Sequence, residues 1–240
     1  MDVIILAAGR GERISNYAGP FLKPLIHLAS GKPLIRHTID QLRDYDKMTN
    51  IVVVASPHNV ESLNEAIGDR PVTFAIQRRP HGPGDALRVG LEIRGTTSHV
   101  LVLLADNLFT SHDIARLQSS YVHTGHNVRI GYSELPRDEA ARFTWQHPEK
   151  RTWHEKEPIP DEITDVDCWV GGFVGLRDRI RYVIGFALPN DRGEVLIGPY
   201  LDDLTRSPDD ERARMIPLDA VDIGTDASYR KYLEETKISG

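Results

Sequence analysis

The strongest constraint on the fold is a rhythm: over residues 1–135, short β-branched apolar runs alternate with amphipathic stretches. The runs lie at 3–7, 51–55, 72–76, 100–104 and 127–132, and the amphipathic stretches at 33–43, 60–67, 84–91 and 112–121. The runs at 3–7, 51–55 and 100–104 are apolar without alternation, as expected of strands covered on both sides. Strand–helix–strand alternation of this kind predicts an α/β fold with a mostly parallel sheet flanked by helices. Thr110 or Ser111 is placed to cap the helix that follows.

The rhythm breaks after residue 135. Residues 142–146 and 152–155 flank His147-Pro148-Glu149-Lys150 and read as a hairpin. A strand is predicted over 166–176, helices over 178–185 and 194–204, a strand over 215–218 and a helix over 226–236. Such a segment suits a small antiparallel lobe closing over a site on the main sheet. With 240 residues and no low-complexity linker or internal repeat, the chain is expected to be a single domain. Its halves divide at about 1–135 and 136–225, with a terminal helix over 226–240.

Composition excludes several classes. The single cysteine, Cys168, rules out an internal disulfide framework and a cysteine-built zinc site. No apolar run approaches the roughly 20 residues of a membrane span. The apolar start has no basic flank or cleavage site, so a cytoplasmic protein is expected. A net charge of −6, from 29 basic and 35 acidic residues, argues against a nucleic-acid binder. The ten histidines are scattered and none forms a His-x-x-x-His pair. There is no Gly-x-Ser-x-Gly elbow.

A site remains possible at the first loop. Leu6-Ala7-Ala8-Gly9-Arg10-Gly11-Glu12-Arg13-Ile14 follows the first strand, where α/β proteins gather ligands. Its glycines admit close backbone approach, its N–H groups can cradle phosphate, and Arg10 and Arg13 add positive charge. A dinucleotide fingerprint would need glycine at position 14, which is Ile14, and no Walker A spacing is present. Lys23-Pro24-Leu25 comes next, then Gly31-Lys32-Pro33-Leu34-Ile35 opens a helix.

This series resembles the N-terminal signature of the sugar-phosphate nucleotidyltransferases, of the thymidylyl and uridylyl kind. Leu22 stands where that family usually has Pro or Ser, and Glu12 where many members have Thr or Ser. Further segments are similar: Gln77 with Gly82-Pro83-Gly84-Asp85-Ala86, Ala105-Asp106-Asn107, Trp153-His154-Glu155-Lys156-Glu157-Pro158, Val170-Gly171-Gly172-Phe173, and Asp222-Ile223-Gly224-Thr225. Glu157 is inserted before the usual proline, and Arg142-Phe143-Thr144 replaces a Tyr-Gly pair. The likeness runs from Val3 to about Tyr232.

The resemblance implies a Rossmann-like sheet and a Mg²⁺-dependent reaction between a nucleoside triphosphate and a sugar 1-phosphate. It implies nucleotide contacts at Leu6, Ala8, Gly9, Gly11, Gln77, Gly82 and Asp85. Gln77 and the Gly82 backbone would read the imide edge of UTP or dTTP, since an amide both donates and accepts. It implies metal binding by Asp106 and Asp222, and phosphate handling by Arg13, Lys23 and Lys156. Acceptor contacts are expected at Thr144, Glu155, Gly171, Gly172 and Glu194.

Two alternatives stay open. The acceptor can be a non-sugar phosphate or phosphonate such as phosphocholine, for which Trp145, Trp153 and Trp169 would offer aromatic faces. The chain can also be a nucleotide-sugar-binding module without turnover. No trimerising β-helix follows the domain, so a monomer or homodimer is expected.

Overall fold

A computed structural model describes residues 1–9, 22–43, 50–124, 128–155, 157–205 and 213–238. The strands are β1 (Asp2–Leu6), β2 (Ile51–Ala55), β3 (Thr73–Ile76), β4 (His99–Leu104), β5 (Asn107–Leu108), β6 (Val128–Pro136), β7 (Thr144–Gln146), β8 (Trp153–Glu155), β9 (Asp165–Leu176), β10 (Ala213–Pro217) and β11 (Val221–Asp222). The helices are α1 (Leu34–Arg43), α2 (Val60–Ile67), α3 (Pro83–Glu92), α4 (Ser111–Thr124), α5 (Arg137–Ala140), α6 (Arg177–Gly185), α7 (Gly198–Thr205) and α8 (Asp226–Ile238).

The main sheet runs β10-β6-β9-β4-β1-β2-β3. Strands β4, β1, β2 and β3 are mutually parallel, as are β10 and β6. Successive side chains of β1 go to opposite faces. Ile4 and Leu6 pack with Leu87 and Leu91 of α3 and Ile180 of α6. Val3 and Ile5 pack with Ile35 and Ile39 of α1, Leu63 of α2 and Ile114 of α4. Both faces of β1 are thus covered, which is why residues 3–6 are apolar throughout.

The antiparallel part is continuous with this sheet. The twelve-residue β9 pairs antiparallel with β4 and β6. Its first half also pairs with β7, whose other edge carries β8. The β6–β9 ladder shifts register between Ile130 and Tyr132. Opposite this irregularity Gly171 has φ +75°, a left-handed value that favours glycine. The hairpin lobe has its own core of Ala140, Trp145, Ile159, Ile163, Val166 and Cys168.

One predicted helix differs in extent. The run from residue 194 was expected to be helical, yet α7 begins at Gly198. Asn190 accounts for this: its Oδ1 accepts the Arg192 and Glu194 N–H groups, and its N–H donates to the Glu194 carbonyl. Gly193, at φ +76°, completes the turn. A side-chain-stabilised turn thus takes the backbone groups a helix would have used.

Candidate active site

Site residues gather at the carboxyl ends of the parallel strands, where open α/β sheets bind ligands. After β1, Ala7 donates its N–H to Val54 O, and Asn59 Nδ2 donates to Ala7 O at 2.8 Å. Asn59 is buried and its Oδ1 accepts the Ser56 N–H, so the start of the glycine loop is held from below. The Leu6 carbonyl accepts from Ala105 N–H, and the Leu6 side chain lies in the core. Among the described residues, a Cβ placed on Gly9 would meet no atom within 4 Å. Gly11, Arg13 and Lys156 lie outside the described residues.

Lys23 opens a short 3-10 turn, Lys23–Leu25, and its Nζ donates to Asp106 Oδ2 at 2.8 Å. Asp106 follows β4. Asp222 reaches it because β11 pairs antiparallel with β5, setting Asp222 opposite Asn107. The Ile223 N–H donates to the Asp106 carbonyl, and the Gly224 N–H to Asp222 Oδ1 at 2.9 Å. A Cβ on Gly224 would lie 2.7 Å from Asp222 Oδ1, 2.8 Å from Lys23 Nζ and 3.2 Å from Asp106 Oδ2. Two carboxylates and an ammonium therefore converge on one small space, which a side chain at 224 would occupy.

The electrostatics suit a cation there. Burial, then the neighbouring Asp106 carboxylate, push the Asp222 carboxyl above its ordinary value. The Gly224 N–H, Arg142 and Lys23 oppose that rise. Among the described residues no cluster of three or more His, Cys, Asp or Glu side chains forms a metal cage. Two carboxylates with open positions are what Mg²⁺ takes when phosphate oxygens and water complete its octahedron. The donor set fits the group that the resemblance implies.

Arg142 is an addition to the expected set. It extends from the segment before β7, with Nη2 3.7 Å from Asp222 Oδ2 and Nη1 donating to Thr225 Oγ1 at 3.2 Å. No local sequence pattern marks it, because contacts about eighty residues apart along the chain bring it there.

The base-side residues also cluster. Gln77 follows β3 and is buried, with Nε2 donating to Gly82 O at 3.0 Å and to Asp85 Oδ2 at 2.9 Å. Gly82 has φ +89° and precedes α3. Its loop is strapped by Val195, whose N–H donates to His81 O and whose carbonyl accepts the Gly84 N–H. A Cβ on Gly82 would lie 2.7 Å from Val195 O and 3.1 Å from Glu194 Cβ. Glu194 thus sits beside the Gly82 loop, on the same segment whose Ile197 and Gly198 N–H groups bond Glu155.

The acceptor-side residues divide. Glu155 Oε2 accepts the Ile197 and Gly198 N–H groups, at 3.0 and 2.8 Å, capping α7. Thr144, buried, lies against Gly198 as well. Gly171 is packed on Asn107, whose Nδ2 donates to Val170 O at 2.7 Å. A Cβ on Gly172 would point to Leu117, Phe109 and Leu103, so packing explains this glycine. All three tryptophans are at most 5% exposed, and Trp145 stacks on His154. Trp145 packs in the core of the lobe and Trp153 and Trp169 in the main core, so none offers an open aromatic face.

Residues 3–149 match the MobA-like NTP transferase domain. The bifunctional protein GlmU of Burkholderia mallei is 28% identical over 229 residues, covering 88% of this chain and 48% of that protein. GlmU of Paraburkholderia phytofirmans is 27% identical over 228 residues, with the same coverage. The chain spans about half the length of the curated relatives it matches. Among solved structures, a UDP-glucose pyrophosphorylase complexed with UDP-glucose aligns with TM-score 0.76 at 16% identity, over 100% of this chain and 99% of that one. A candidate glucose-1-phosphate thymidylyltransferase from Bacillus anthracis aligns with TM-score 0.81 at 20% identity, over 98% and 94%. The structural likenesses show the shared fold, and together with the domain match they bear out the resemblance read from the first loop. The chain belongs to the MobA-like NTP transferase family.

Proposed function

We propose that this chain joins a nucleoside triphosphate, with uracil or thymine as base, to a sugar 1-phosphate and releases pyrophosphate. The observation that carries the reading is the meeting of Asp106, Asp222 and Lys23 around Gly224. An acceptor phosphate oxygen attacks the α-phosphorus, and the bond to the bridging oxygen breaks. The electron pair leaves with pyrophosphate. The attacking phosphate is already ionised, so positioning and charge neutralisation matter more than a general base.

Asp106 and Asp222 would hold Mg²⁺, which supplies charge neutralisation at the reacting phosphates. Lys23, beside Asp106, donates to phosphate oxygens and offsets the paired carboxylates. Gly9, by the resemblance, lets the backbone come close to the triphosphate. Arg13 and Lys156, by the resemblance, grip the triphosphate and the acceptor phosphate.

The test is magnesium-dependent pyrophosphate release with each of five nucleoside triphosphates against a panel of sugar 1-phosphates plus phosphocholine. Release with UTP or dTTP and one sugar phosphate is expected. Release only with phosphocholine or a phosphonate keeps the chemistry and overturns the acceptor. Tight nucleotide-sugar binding without any release overturns catalysis in favour of a binding module.

A further inference from the structure

We propose that Asp85 is a specificity-positioning residue: it locks the Gln77 amide so that the side chain presents only an acceptor and selects a base with a ring N–H. The proposal rests on the nucleotide-binding part of the reading above.

The argument begins with the two neighbours of the Gln77 amide. Gly82 O and Asp85 Oδ2 lie 3.0 and 2.9 Å from Nε2, and neither a carbonyl nor an ionised carboxylate can donate. Turning the amide over would put Oε1 against two acceptors inside a buried environment. Both partners of the amide nitrogen are therefore occupied, and its orientation is fixed by chemistry. Oε1 accepts no hydrogen bond among the described residues. What Gln77 has left to offer a ligand is a lone-pair oxygen.

A free glutamine would read either pattern by turning over, and so could not separate uracil from cytosine at the ring nitrogen. The locked one can. Uracil and thymine carry an N–H at that ring position, whereas cytosine carries a lone pair that would face Oε1. An unpaired, mutually repelling pair of acceptors in a buried site is worth more than the hydrogen bond it replaces. Asp85 lies in the first turn of α3, with Arg88 Nη1 3.7 Å from its other oxygen, so its own position is held. The Gly82 carbonyl alone gives one acceptor; Asp85 supplies the second and uses the remaining N–H.

Calorimetric titration of wild type, Asp85→Ala and Asp85→Asn with UTP and with CTP tests this. The two nucleotides share ring size and phosphates, so their ratio isolates the base edge. Wild type should prefer UTP by about tenfold or more. Asp85→Ala should bring that ratio down to about two- or threefold, with a melting temperature showing an intact fold. Asp85→Asn keeps an acceptor oxygen for Nε2 and should hold the ratio within about twofold of wild type. Equal binding of UTP and CTP by wild type overturns the proposal, as does an unchanged ratio in Asp85→Ala. A matched collapse in both variants assigns the effect to charge and also overturns it. Preference for UTP, lost in Asp85→Ala, with no pyrophosphate released under any condition supports the lock and sinks the catalytic reading instead.

Discussion

Single residues at the carboxylate pair show opposed demands of stability and chemistry. Asp222 has a raised carboxyl in the folded chain because it is buried and faces Asp106. A raised acid favours the fold while protonated; that contribution is complete below the ordinary carboxylate range and is lost as pH rises through the raised value. At neutral pH the ionised pair therefore weakens the ligand-free fold. Asp222→Asn should raise the neutral-pH Tm by about 2–4 °C without ligands. It should also reduce pyrophosphate release to background, and Mg²⁺ with nucleotide should no longer stabilise the variant as it does wild type. A lower Tm in calorimetry would contradict this account. Gly224→Ala acts at the same point. Its methyl would enter the space between Asp222, Lys23 and Asp106, so turnover should fall by about tenfold or more while the urea midpoint barely moves.

At the scale of elements, Asp113 connects α4 to the segment that leads into β11. It is fully buried, a condition that by itself raises a carboxyl. The Thr110 hydroxyl and N–H, the Asp219 N–H and Arg116 outweigh burial and hold it below the ordinary value. A depressed acid stabilises above the ordinary carboxylate range, and that stabilisation is lost as pH falls through the folded-state value. Asp113→Ala leaves buried donors unpaired and should cost about 2–3 kcal/mol at pH 7 in urea unfolding. The deficit should shrink as pH is lowered through the acid range; a deficit independent of pH would count against the charge-assisted bonds. Sequence offered Thr110 or Ser111 as the cap, and Thr110 is the one whose hydroxyl accepts the Asp113 N–H. That Asp113 also grips Asp219 was not, since residue 219 is brought there by β10 and β11.

On the scale of the whole molecule, residues 194–198 join two regions that the sequence treats separately. Val195 is bonded to the His81–Gly84 loop, and the Ile197 and Gly198 N–H groups to Glu155 of the hairpin. A Cβ on Gly84 would lie 2.6 Å from Val195 Cγ1 and 2.9 Å from Leu196 O. Gly84→Ala should destabilise by about 1–3 kcal/mol, as overpacking does. Because the strap is bonded to the loop whose Gly82 carbonyl holds Gln77, nucleotide affinity should weaken too. Unchanged UTP titrations in a destabilised Gly84→Ala protein would show that the strap and the base-side loop are uncoupled.

The sequence by itself determined the apolar strands covered on both faces, the helices between them, and the acids and glycines at strand ends. These follow from periodicity and from turn chemistry, which act over a few residues. It did not reveal that Arg142 lies beside Asp222, that Glu194 lies against the Gly82 loop, or that the three tryptophans divide between two cores. Nor did it orient Gln77, whose amide is fixed by partners five and eight residues away along the chain. The tertiary structure decided those matters. Asp106 and Asp222 meet only because β5 and β11, each two residues long, pair across the fold. Long-range strand pairing is set by hydrogen bonds between distant segments, and no local pattern of residues encodes which segments those are.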